Sequence, residues 1–545
     1  TARGDVQVWR NDGGSRNPAV RVQLAARVSN RSGVGTKAEV RAGALREKLE
    51  TSSAFPAVAP ADLVFGLGRR AAADIVRALW PSGILQTEIV PSRDASAAGP
   101  VTVKVEELDR KPSSCPFLFT WNGSRFDFVT DFLGGGEMGD WLAPGVFNQP
   151  DPEEYVRIPG DRLRPRDGTY DLRITNELEE AMFLDRVQLV AVDHPADLEV
   201  YPDEGLRSTR SPFKVFAARD LRPPLRAVDE HGHDVLSKIR AIDRSAPDDF
   251  ALLPIRGYAQ PHAVTFDPGA SGDGVILLLT GWTEYAFSND NVAAEQGGLT
   301  MQPPRLEVRD ASGAWQTLID DIGFPVGRPQ TIAVDLTGKR LPPSREVRIV
   351  TNMRIYWDRI AVASSAGAAV VKMTRVDPTA ATLRSRGFSA EISPDGRAPF
   401  GYDYSRVSAA SPWKAPAGRY TRYGDVRPLL LGVDDRFAIA APGDEVALAF
   451  GAASFPALPS GFTRTFLLYA DGFSKEMNIR SATPDALLPL PFHAMRKYPY
   501  GGEEAYPETA AHREYLARYN TRIVAAPVPS LDLSATLAED QARRR

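Results

Sequence analysis

The sequence predicts a mostly β protein: several sandwich- or barrel-like modules in tandem, with few short helices. Three observations predict it. Glycine and proline occur 44 times each and are spread along the chain, as turn-formers between many short strands are. Apolar residues alternate with polar ones over short runs, the period-2 signature of a half-buried strand. One late stretch, AHREYLARYNTR at 511–522, instead places Tyr515, Leu516 and Tyr519 on a single helical face. At 545 residues the chain exceeds what one core serves, so about three or four modules are expected.

Residues 1–16 contain DVQVWRNDGG, where Val6 and Val8 alternate into Trp9 before a tight Asn-Asp-Gly-Gly turn. Residues 17–108 form the next module. AVRVQLA alternates through Val20, Val22 and Leu24, NRSGVG at 30–35 makes a turn, and a strand follows through Ala38 and Val40. LVFGLG is a strand ending on two glycines, and ADIVRALWPSG runs into a Pro-Ser-Gly turn. Gly33, Gly35, Gly66, Gly68 and Gly83 are expected in backbone conformations closed to residues with a Cβ. The GVG and GLG strings are not nucleotide loops, because strands follow them where a helix would be required.

Residues 109–205 open on a hairpin. Phe117, Phe119 and Trp121 alternate, Asn122-Gly123 predicts a type I′ turn, and Phe126 and Phe128 return. Further strands are expected through Tyr170, Leu172 and Ile174, and from Val187 to Val192. In residues 206–365, GVILLLTGWTEYAF, PRLEVRDASGAWQTLI, QTIAVDLTG and REVRIVTNMRIYWDRIAV read as strands separated by turns. Residues 366–545 are less regular, with a strand at FTRTFLLYADGF and many aromatics and prolines between 484 and 507.

Three strings in the second module occur in a fixed order: NRSGVG (Asn30, Gly33, Gly35), FGLG (Phe65, Gly66, Gly68) and WPSG (Trp80, Pro81, Gly83). Together they resemble the ASPIC/UnbV domain, which follows β-propeller repeats in bacterial surface proteins and in animal cartilage acidic protein. WRNDGG at 9–14 is similar to the closing strand of a last FG-GAP propeller blade. The resemblance implies the C-terminal part of a longer bacterial chain that is secreted, periplasmic or on the cell surface. It implies binding and not a reaction, since the strings consist of turn-formers and core residues. The strand order of residues 206–365 resembles a galactose-binding-like jelly roll, a fold that hosts carbohydrate-binding and adhesive modules.

The bulk properties exclude some classes. A net charge of −4 with mixed signs argues against a nucleic-acid binder, which carries a basic face. Cys115 is the single cysteine, so no intrachain disulfide forms. No run of about 18 apolar residues is present, so no membrane-spanning helix is expected.

Reactive constellations find little support. The adjacent carboxyls Glu179-Glu180, Asp320-Asp321 and Asp434-Asp435 would point to opposite faces of a strand. A glycosidase pair has to face itself across a sugar, so these read as turn residues. His231 and His233 share a face at i and i+2, but VDEHGHDV reads as a polar turn around Gly232. Cys115 precedes Pro116 at the start of an apolar strand and reads as a buried thiol. Ser82 sits in a turn without a base, and no GxSxG elbow occurs. No catalytic residue is assigned.

Calcium is the one ion the sequence favours. FSNDNVAAEQGG offers oxygens from Asn289, Asp290, Asn291 and Glu295 in what reads as a loop, although any turn uses the same residue types. Most of the scattered tryptophans, Trp357 among them, read as core. Tyr498, Tyr500, Tyr506, Tyr515 and Tyr519 read as core or as an ordered tail lying on another subunit. The expectation is a non-catalytic interaction or structural protein with protein partners or a larger surface assembly. The alternative is a carbohydrate-binding or carbohydrate-active protein using residues 206–365.

Overall fold

The computed structural model describes residues 17–26, 29–52, 62–81, 85–90, 100–107, 116–209, 212–269, 274–339, 346–367, 370–409, 413, 415–478, 480–483 and 486–524. Residues 1–16, expected as the end of a propeller blade, lie outside them, as do Gly83 and Cys115. The chain divides into two units, one of residues 1–110 with 527–545 and one of residues 111–526.

Among its described residues the first unit contains two sheets. Ala19–Ala25 lies between Leu63–Gly66, which it meets antiparallel, and Val101–Glu106, which it meets parallel. The second sheet is antiparallel, in the order Leu45–Glu50, Lys37–Ala42, Ile75–Leu79, Leu85–Ile89. Alternation turns Val20, Val22, Val40, Phe65, Val76, Trp80, Val103 and Val105 into one core. The edge strand Leu45–Glu50 is studded with Arg46, Glu47, Lys48 and Glu50, which discourages pairing with another chain.

The second unit is built around a discontinuous sandwich. Its larger sheet runs from Phe388–Ile392 through Gly401–Ser408, Phe126–Asp131, Phe117–Trp121, Thr169–Thr175, Asp444–Gly451 and Ala380–Ser385 to Gly424–Asp425. The facing sheet orders Glu153–Ile158, Phe462–Glu476, Glu180–Pro195 and Lys372–Val376. Leu118, Leu172, Ile174, Leu189, Leu448 and Leu468 share the core of this sandwich. Residues 109–205 and 366–545, expected as separate modules in tandem, therefore interleave strand by strand. Thr169–Thr175 pairs with Asp444–Gly451, and Glu180–Pro195 pairs with Phe462–Glu476 along its length. Strand partners far apart in sequence leave no local periodicity, so the pattern of residues could not announce them.

Between Glu180–Pro195 and Lys372–Val376, neighbours in one sheet, the chain inserts the second sandwich. It consists of two antiparallel sheets of five strands each. One orders Glu199–Pro202, Val215–Arg222, Ile355–Ser365, Val275–Thr283 and Gln330–Asp335. The other orders Arg226–Val228, Tyr258–Asp267, Val347–Met353, Arg305–Arg309 and Trp315–Ile319. Leu277, Leu279, Ile332, Ile349 and Trp357 fill it. Its first strand starts at Glu199, ahead of the expected boundary at 206.

Local chemistry corrects two further expectations and decides between the two offered for the late tyrosines. The hairpin around Asn122-Gly123 is present, but a four-residue loop replaces the type I′ turn. The Asn122 carboxamide accepts from the Ser124 and Arg125 amides (2.8 and 2.9 Å) and so shapes the loop itself. Gly66 closes a strand without a left-handed φ, and a Cβ there would meet nothing within 4 Å. The late tyrosines pack into this chain's own core: Tyr498, Tyr515 and Tyr519 are buried, with the last two on the helix Ala510–Arg518 or at its cap.

Candidate functional site

The ordered strings at 30–81 converge on a backbone knot. Asn30 holds Val34 with both ends of its amide, at 2.8 Å each. Gly33 adopts φ +62°, and a Cβ there would lie 3.1 Å from the Trp80 ring. Gly35, at φ +94°, faces Pro81 and donates its amide to Thr51 (2.8 Å). The Thr51 hydroxyl donates to the Gly33 carbonyl (2.5 Å). Trp80 is buried and donates its indole N–H to Gln86 (2.9 Å). Phe65 is core, and Gly68 turns the chain at φ +60°. These residues fold the module, and none presents a reactive group.

Glu39 lies in the same unit, 4% exposed, within reach of Arg41 (2.6 Å), Arg46 (2.7 Å) and Lys48 (3.3 Å). Burial works against its charge, but hydrogen bonds from the three cations outweigh it and hold the carboxyl down at about 2.

The four residues expected in a calcium loop sit on the helix Ser288–Gln296. Asp290 accepts from the Phe287 amide (2.9 Å), which starts the helix. Asn291 donates to the Trp141 carbonyl (3.1 Å) and accepts from the Tyr258 hydroxyl (3.0 Å). Asn289 accepts from the Asn478 amide, and Glu295 is exposed a turn further on. A helix does not wrap its own side chains around one ion, so these oxygens do not converge. The helix start nevertheless abuts a group of carboxyls that the sequence reading missed. The Ser288 hydroxyl donates to Asp140 (2.8 Å) and accepts from the Trp141 amide (2.9 Å).

Carboxylate oxygens of Glu137, Asp140 and Glu476 lie within 4.8 Å of one another. Glu180 stands directly across the strand pair from Glu476. Gly136 makes this possible, because a Cβ there would approach the Gly472 carbonyl to 2.7 Å. The segment therefore lies flat on the strand, with Glu137 bridged to Ser474. Burial first, and then the neighbouring carboxylates, push Glu137 and Glu180 well above the usual carboxylate range. Of the adjacent pairs read as turn residues, Glu179-Glu180 thus contributes a buried strand residue.

A second polar site is a cleft of about 740 Å³ lined by Asp151, Glu153, Arg207, Ser208, Asp471 and His493, among others. A bulge at Asp185 on Glu180–Pro195 turns that carboxylate toward His493, 3.6 Å away. His493 is clamped at both ring nitrogens, by Asp435 and Asp471 at 2.7 Å each. Burial opposes its charge, but the two hydrogen bonds and the surrounding carboxylates raise it to about 10. Asp185 is raised to about 7, chiefly by burial, although the Asp434 and Asp435 amides donate to it. His493 is thus an imidazolium at neutral pH. A smaller cavity of about 70 Å³ shares Asp151, Glu153 and Arg207 with the cleft and adds Glu154 and Glu204. His231 and His233 stay in the expected turn, with Gly232 at φ +85° and His233 against Asp229 (2.9 Å).

Among the described residues no helix is long and apolar enough to cross a membrane, which says nothing of a β-barrel. No curated protein matches the chain in sequence. Among solved structures, the full-length major pilin SpaD from Corynebacterium diphtheriae is 8% identical, over 71% of this chain and 91% of that one, at a TM-score of 0.14. A likeness of that size carries no argument. Residues 26–96 match the family described as ASPIC and UnbV, spanning the strings that close the knot at Gly33 and Trp80, so the first unit carries an ASPIC and UnbV domain.

Proposed function

We propose that the chain is a non-catalytic interaction or structural protein working outside the cytoplasm, as an adhesive component or a subunit of an envelope assembly. The ASPIC and UnbV match at residues 26–96 carries this reading, since the family is one of extracellular-type domains. The state of His493 supports it. An imidazolium held at about 10 between two carboxylates is a poor general base at neutral pH. The test pairs two measurements on the full-length protein. One is cell fractionation with whole-cell cross-linking, and the other is incubation with chromogenic glycosides, esters and peptides. The expected result is a protein outside the cytoplasm, cross-linked to an envelope component or a second copy, with no turnover. A cytoplasmic location, or turnover abolished by Asp471→Asn, overturns it.

The cleft favours a second reading, carbohydrate binding. Asp151, Glu153 and Asp471 line it with acceptors and Arg207 with guanidinium donors, the pairing that vicinal sugar hydroxyls require. Binding on a glycan array that is lost in Arg207→Ala would favour this reading over the first.

A further inference from the structure

Two glutamates directly opposite each other on paired strands repel, and Glu180 and Glu476 stand in that register on the two central strands of a sheet. Glu137 and Asp140 add two more carboxyls to the same place. Glu180 lies outside the tight trio and is an independent sign of something missing. It is 3% exposed, and its Oε1 has no hydrogen-bond partner among the described residues. The charges acting on it are those of Glu476 and Asp131, both negative. Glu137 likewise keeps a buried Oε1 without a hydrogen-bond partner among the described residues, and the side-chain contact its carboxyl does make is with another acid, Glu476.

Lys475 precedes Glu476 on the strand, so it points to the opposite face, where it donates to the Thr483 carbonyl (2.9 Å). The helix Ser288–Gln296 turns its N-terminal end toward Asp140 through Ser288. That end supplies about half a positive charge, which acts on Asp140 and does not reach the orphaned oxygens of Glu137 and Glu180. A buried carboxylate without a counter-charge is costly, and a bound cation or a proton is the physical remedy.

We propose that the second unit holds a buried divalent cation, calcium by its all-oxygen donor set, between the carboxylates of Glu137, Asp140, Glu180 and Glu476. The spacing suits it. Oxygens on a coordination sphere of about 2.4 Å radius are at most about 4.8 Å apart, and the trio's oxygens lie within 4.8 Å of one another. Calcium takes six to eight oxygens and accepts carboxylates in one- or two-oxygen mode, so four carboxyls supply most of a shell. The ion would tie the segment around Glu137 and Asp140, and through Ser288 the inserted sandwich, to the central strands ending at Glu180 and Glu476.

The experiment uses the full chain stripped with EDTA, with terbium and then calcium as probes. Trp141 follows Asp140 in sequence and serves as the antenna. The expected result is sensitised terbium emission saturating at about one equivalent, reversed by calcium and weakened in Trp141→Phe. Calcium at about 100 times its Kd should also raise the unfolding midpoint by at least about 3 °C. Glu137→Gln and Glu180→Gln should each abolish both responses. If neither metal changes emission or midpoint, while both amide variants unfold at higher temperature than the parent, the carboxyls are held by protons and the proposal fails. It fails equally if terbium emission survives in both variants.

Discussion

Two buried glutamates, Glu39 in the first unit and Glu180 in the second, meet opposite surroundings. Glu39 in the first unit is answered by Arg41, Arg46 and Lys48, all within a few residues on its own strand or the next. Glu180 in the second faces Glu476, Glu137 and Asp131, all of which arrive from well before or far beyond it in the chain. The first unit answers Glu39 from a single hairpin. The second assembles its special positions from strands that meet only in the folded state. A buried charge next to its own cations stabilises a fold. The same charge among other carboxylates needs something the chain does not supply.

The largest contrast lies in glycine. Gly472 sits opposite the bulge in Glu180–Pro195, and a Cβ there would fall 2.1 Å from the Phe183 carbonyl. Gly472→Ala should cost more than about 4 kcal/mol or abolish folding of the second unit. Gly66→Ala should stay within about 0.5 kcal/mol, because its Cβ enters open space at an ordinary φ. Chemical denaturation of both variants checks the pair, and a comparable loss in each would erase the distinction.

Next come the glutamates themselves. Glu39→Gln leaves three cations facing one another and should destabilise the first unit by about 1–2 kcal/mol, since Arg46 and Lys48 are more than half exposed and screened by water. Glu180→Gln in EDTA should act in the opposite direction, raising the unfolding midpoint, since it removes a carboxylate that has no counter-charge. Parallel thermal melts of the two variants read the sign.

The pH response should then differ between the units. Glu39 is depressed to about 2, so its contribution is present above the unfolded value near 4.5 and fades as pH falls toward 2. In the second unit, burial raises Asp185 to about 7 and Glu154 to about 8. Native protons are therefore held more tightly than unfolded ones, and stability falls as pH rises from about 4 to 8. His493, raised to about 10, contributes fully below about 6.5 and loses that contribution as pH climbs to 10. Unfolding followed at pH 3, 6 and 9 should show the first unit weakest in acid and the second weakest in base. A modest loss of about 1 kcal/mol is expected from Asn30→Ala, through loss of the two bonds to Val34.

How much was legible follows the same division. Val20, Val40, Phe65 and Trp80 could be read as core because alternation is a property of neighbours. The tight turns at Gly33 and Gly35 could be read from the glycines themselves. The helix Ser288–Gln296 was missed because SNDNVAAEQ is polar almost all round, with no apolar stripe to mark it. The calcium reading nevertheless fell beside the carboxyls that the fold collects, since Ser288 and Asn289 contact Asp140 and Asn478.

The sequence by itself determined the β character, the strand and turn positions and the ASPIC/UnbV strings, because each depends on residues within one or two turns of chain. Only the tertiary structure decided that residues 109–205 and 366–545 share their sheets, that Asp185 bulges toward His493, and that Glu137, Asp140, Glu180 and Glu476 meet. The physical reason is that cross-strand register joins residues regardless of their separation in sequence. What a buried carboxylate faces is set by that register and not by its neighbours along the chain.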